Sequence, residues 1–100
     1  MITIHKVQGF SMDPEISNNS YVISRSFTFK KNRSQFLLFE HKEYGKLIKK
    51  LKVIDKNKKL WFEGNSKFSI SSKEIGPIKL GSVIGEIIIS ISESKIKIFS

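Results

Sequence analysis

Cysteine is absent from this 100-residue chain, which excludes both a disulfide framework and a thiolate zinc site. Histidine is scarce: His5 and His41 stand alone, in no ligand-spaced cluster, so no metal site or other cofactor is expected. Long apolar runs are missing too. The most hydrophobic stretch, Ser82 to Ile91, contains Glu86 and is far too short to span a bilayer as a helix. No basic segment followed by an apolar run opens the chain, so a soluble, cytoplasmic protein without a membrane anchor is expected. Acidic residues are few, nine against 18 lysines and arginines, giving a net charge of +9. Such a balance attracts anionic partners. The lysines recur along the whole chain and form no single block, which fits a solvated surface and gives no reason to expect a nucleic-acid partner.

What is present reads as one small domain of short strands. Ile2–Val7, Tyr21–Ser24, Gln35–His41, Lys59–Glu63, Gly85–Ile91 and Lys95–Phe99 carry β-branched and aromatic residues between polar or glycine-containing turns. Phe27–Phe29 extends the second of these, and Ile75–Ile78 reads as a turn into a short strand. No internal repeat, linker or long helix interrupts the series. The expected fold class is all-β, a small barrel-like domain over residues 1–100.

Two stretches carry chemistry. The first is Gly9-Phe10-Ser11-Met12-Asp13-Pro14, where a strand ends in glycine and then presents a serine before a proline. The bland equivalent is a Ser/Asp turn. The second is Gly45–Ile54. With a period of two, Leu47, Lys49, Leu51 and Val53 share one face, and Lys46, Ile48, Lys50, Lys52 and Ile54 the other. Leu47, Ile48, Leu51 and Ile54 also fit helical spacing. The strand is preferred because Gly45 precedes it and Asp55-Lys56-Asn57-Lys58 follows as a hairpin turn.

A serine hydroxyl needs a base. One arrangement uses His41, with Asp13 or Asp55 completing a triad. The other uses a neutral lysine, and Lys49 is the one lysine whose own face is otherwise aliphatic. Bringing its amine from about 10.4 to near 7 requires roughly 4–5 kcal/mol in favour of the neutral form. A lysine at a strand end that snorkels to water is the alternative.

Gly9-Phe10-Ser11-Met12-Asp13-Pro14 resembles the nucleophile box of the signal peptidase I family of Ser/Lys peptidases. Leu47-Ile48-Lys49-Lys50-Leu51 is similar to that family's base-bearing box, and the segment from Gly64 to Ile78 to its third box. The resemblance runs in order from about Val7 to Ile88. It implies a signal-peptidase-type catalytic β domain, also related to self-cleaving repressor domains, with Ser11 as nucleophile and Lys49, 38 positions later, as general base. It further implies Ser69 as the residue orienting the Lys49 amine, and an oxyanion hole from the backbone N–H of Ser11 with Gly9 as its second contributor. The family's carboxylate–guanidinium pair is replaced here by Ser71-Ser72-Lys73, and its Gly-Asp-Asn by Gly64-Asn65-Ser66. A soluble, minimal member is most similar to the nickel-type superoxide dismutase maturation proteases, which implies a precursor protein with a short N-terminal propeptide as substrate. Two other readings stand beside this: a basic β-barrel that stacks single-stranded nucleic acid on Phe27, Phe29, Phe36, Phe39, Trp61 or Phe62, and an inactive relative that only binds the precursor.

Overall fold

Phe36, Leu37, Leu38 and Phe39 follow one another without a polar interruption, so a strand built from them has two apolar faces and must be covered on both. The computed structural model, which describes residues 2–7, 16, 19–27, 36–63, 72–93 and 95–99, places them so. The strands are β1 (Ile2–Lys6), β2 (Tyr21–Arg25), β3 (Phe36–His41), β4 (Gly45–Ile54), β5 (Leu60–Glu63), β6 (Val83–Ile91) and β7 (Ile96–Ile98). They form one antiparallel sheet in the order β1-β2-β6-β3-β4-β5. β7 lies on the same edge of β6 as β3, further along, pairing Ile89–Ile91. The domain is all-β.

Alternation sends the β3 side chains to two separate cores. Phe36 and Leu38 join Ile16, Val22, Ile87 and Phe99, with Val7, Ile48 and Ile84 against them. Leu37 and Phe39 join Leu60, Phe62, Ile75 and Ile78, with Leu47, Leu51, Ile54 and Val83 against them. Each fully buried aliphatic or aromatic side chain contributes about 1.5–3 kcal/mol. The Phe39 and Phe62 rings stack at 4.2 Å between centroids. Val7 and Ile48 share a core although β2, β6 and β3 separate their strands in the ladder, so the sheet coils strongly on itself. Among the described residues its edge strands β1 and β5 are not paired with each other.

The segment Gly45–Ile54 is a strand throughout, and its return turn is built as expected. Asp55 Oδ1 accepts the backbone N–H groups of Asn57 and Lys59, and Oδ2 accepts the Trp61 indole N–H. One detail departs from strict alternation. The β4–β5 register slips between Leu51 and Val53, so Leu51 faces Phe62 and Ile54 faces Leu60. This bulge exchanges the last two positions: Ile54 enters the core and Val53 is half exposed.

Two short helical pieces lie outside the sequence reading, α1 (Ser72–Ile75) and a 3-10 turn (Leu80–Ser82). Gly76 at φ 72° and then Pro77 end α1, the usual glycine-then-proline stop. Ile78 pairs with Leu60 as an isolated bridge, which is the short strand expected there reduced to one residue. No helix among the described residues is long and apolar enough to cross a membrane.

Gly85 marks a close approach between β6 and β2. A methyl group there would lie 2.6 Å from the Arg25 carbonyl oxygen and 3.0 Å from Ser24 Oγ. Because the first of these atoms is backbone, β2 and β6 would have to separate. Gly85→Ala is expected to cost about 1–3 kcal/mol, read as a fall of several degrees in Tm by calorimetry.

Candidate active site

β4 positions Lys49 by simple alternation. It lies directly opposite Leu37 on β3, so its side chain emerges on the Leu37 face. Leu47 and Leu51, two residues to either side, pack into the same core. The result is a fully buried lysine, 0% exposed, whose Nζ has no hydrogen-bond partner among the described residues. Burial pushes its amine below the ordinary lysine value, because an ammonium held there would lose its hydration without an opposite charge in return. A neutral lysine has a lone pair, and this one is not spent on any described donor. Chemically, a neutral amine in this setting could take a proton from an acidic group within reach.

Sequence reasoning singled out Lys49 from the correct face, with one neighbour misassigned. Its aliphatic setting is Leu47 and Leu51, and the bulge removes Val53 from it. Ser11, Gly9 and Ser69, the other candidate residues, lie outside the described residues, as does Asp13. The anchor of the Ser11 segment is defined. Val7 N–H donates to the Ser20 carbonyl and Asn19 N–H to the Val7 carbonyl, so the chain leaves and rejoins the sheet at one point. Ser11 follows Val7 by four residues, a reach of at most about 14 Å. Val7 and Ile48, the residue before Lys49, both pack against the first core, on the face of β4 opposite Lys49.

His41, the alternative base, is committed elsewhere. Its Nδ1 accepts the N–H groups of Glu43 (3.0 Å) and Tyr44 (3.3 Å), and its Nε2 donates to the Ile75 carbonyl (3.0 Å). Both ring nitrogens are used to hold the β3–β4 turn against α1. Asp55 does not meet it: that carboxylate closes the next hairpin, where the Trp61 indole and then the Lys59 N–H hold it below the usual carboxylate range. A His41–Asp55 pair is therefore not formed. His41→Ala is expected to destabilise the fold by about 1–3 kcal/mol through its orphaned backbone partners. It should leave any Ser11-dependent cleavage in place, which a thermal melt and a cleavage assay on the same sample would show.

The aromatics of the nucleic-acid reading are mostly structural. Phe36, Phe39 and Phe62 are buried, Phe27 packs against the second core, and Trp61 is tied to Asp55. Phe29 lies outside the described residues.

Two polar features escaped the sequence reading. The Arg25 Nε–H donates to Glu86 Oε1 at 2.8 Å, an ion pair with the carboxylate buried. The Thr3 hydroxyl bridges Ser24 Oγ (2.6 Å) and His5 Nε2 (2.8 Å). Burial, then the nearby Lys46 charge, holds His5 below the ordinary histidine value. The Thr3–His5 alternation on β1 was a readable signal. The Arg25–Glu86 pair was not, since 61 positions separate its members. Among the described residues no three His, Asp or Glu side chains converge as a metal site. No protein-family model matches the chain, and no curated protein matches it.

Proposed function

We propose that this protein is a soluble, cytoplasmic serine endopeptidase with a Ser/Lys dyad, which removes a short N-terminal propeptide from a precursor protein. The observation that carries the reading is the Lys49 amine, wholly buried among aliphatic side chains and without a described partner. Sealing a lysine into an apolar core is costly, and general-base chemistry is a function that requires it.

In this mechanism the neutral Lys49 amine removes the Ser11 proton as Oγ attacks the scissile carbonyl. The tetrahedral oxyanion is held by the backbone N–H of Ser11 and by the Gly9 position. The Lys49 ammonium then protonates the leaving amine, and water, deprotonated by the same lysine, releases the acyl group from Ser11. Ser69 orients the amine. The substrate class is the one implied by the likeness of a soluble, minimal family member to the nickel-type superoxide dismutase maturation proteases: a precursor of that enzyme.

Incubating the purified protein with such a precursor and sequencing the N-terminus of the product tests the assignment. One cut at the leader boundary is expected. An intact precursor in the presence of folded protein would remove the substrate assignment, and an unshifted precursor in a binding assay as well would remove the inactive-relative reading with it.

A further inference from the structure

The register places Lys49, Leu37, Glu86 and Arg25 in one row across β4, β3, β6 and β2, all on the same face of the sheet. Leu37 separates the amine from the carboxylate, so their backbones lie two strand spacings apart, about 10 Å. Glu86 is 1% exposed, and the Arg25 side chain beside it reaches solvent. A buried anion at that range would pull a proton onto the amine. The ion pair answers the problem: one member carries a negative charge into the core, and the other cancels it on the side away from Lys49.

We infer that Arg25 is a positioning residue, whose guanidinium neutralises Glu86 so that the Lys49 amine on the same sheet face stays uncharged. The inference rests on the proposed role of Lys49 as base. Other charged groups are poorly placed to do this. On β4 the neighbours on this face are Leu47 and Leu51, and on β5 they are Phe62 and Leu60. Glu63 opposes Lys50, on the other face. On β3, His41 lies beyond Phe39 with both nitrogens occupied, and Glu74 of α1 is exposed. Among the described residues this leaves Glu86 and Arg25 as the charges aligned with Lys49. Removing either member of an ion pair costs stability whatever the pair's role, so the signature of this one lies in the Lys49 midpoint. The electrostatic role gives opposite signs.

The test is a titration of the Lys49 side chain by NMR in protein labelled at the lysine ε-carbon, the resonance being assigned by its loss in Lys49→Met. In Arg25→Met the midpoint is expected to rise by about one pH unit. In Glu86→Gln, where Arg25 is left as an uncompensated cation, it is expected to fall. In the double variant it should return close to the starting value. Arg25→Lys, which keeps the charge, should hold the midpoint near wild type. Unmoved midpoints in folded Arg25→Met, or shifts of the same sign in both single variants, would overturn the inference; should Arg25→Met not fold, Glu86→Gln and the double variant decide it. Failure of the parent reading looks different: opposite shifts without precursor cleavage would keep the pair's role and remove the peptidase, whereas Lys49-dependent cleavage with unmoved midpoints would remove the pair's role alone.

Discussion

Lys49→Met is expected to stabilise the protein by about 1–3 kcal/mol, the cost of taking a polar amine out of water into an apolar core. Methionine matches the length of the lysine stem and fills the same aliphatic space. For a domain of this size each kcal/mol moves Tm by about 4–8 °C. The effect carries a pH signature. Burial lowers the amine in the folded state, while in the unfolded chain it titrates near 10.4. Between those two values the unfolded state binds the extra proton, so wild-type stability rises with pH through that window. Below the folded value the lysine is protonated in both states and the penalty is at its full size. Lys49→Met removes this dependence. Its advantage is therefore expected to be greatest at acidic pH and to shrink as pH approaches 10, which melts at a series of pH values would reveal. A Lys49→Met protein whose stability followed pH as the wild type's does would mean that this amine is not the group that titrates, and the argument for a buried neutral base would be lost.

Activity should move the other way. Ser11→Ala is expected to abolish cleavage of the precursor, since no other hydroxyl replaces the nucleophile. Lys49→Ala is expected to lower kcat/KM by about 10²–10⁴-fold, the usual worth of a positioned general base. Lys49→Arg should do no better, because a guanidinium stays charged at any accessible pH. In the wild type, kcat/KM is expected to rise with pH through the depressed Lys49 value as the amine loses its proton. Full activity in Lys49→Ala, measured by product formation over time, would remove the dyad. A protein that gains stability as it loses function is the pattern of a residue kept for chemistry.

Much of this was legible in the chain because the relevant physics is local. Alternation over Gly45–Ile54 put Lys49 among leucines, and Asp55 with its neighbours announced the turn that Oδ1 and Oδ2 then build. Gln35–His41 read as a strand, and β3 forms there, its Phe36–Phe39 run buried on both sides. What escaped depends on relations that alternation does not contain. The bulge at Lys52, which trades Val53 for Ile54, is set by how β5 pairs with β4. α1 has only four residues, too few for a periodic signal, although Gly76-Pro77 marks its end. Glu86 read as a break in an apolar run. Only the register, which sets Leu37 between β4 and β6, shows it aligned with Lys49 and held by Arg25.

The account stands on the amine of Lys49 meeting the hydroxyl of Ser11. A crystallographic measurement of the distance from Nζ to Oγ in catalytically active protein tests this most directly. Hydrogen-bond contact, about 2.6–3.2 Å or slightly longer without substrate, is expected. A hydroxyl lying across the sheet from the amine, with apolar side chains filling the space between them, would contradict it.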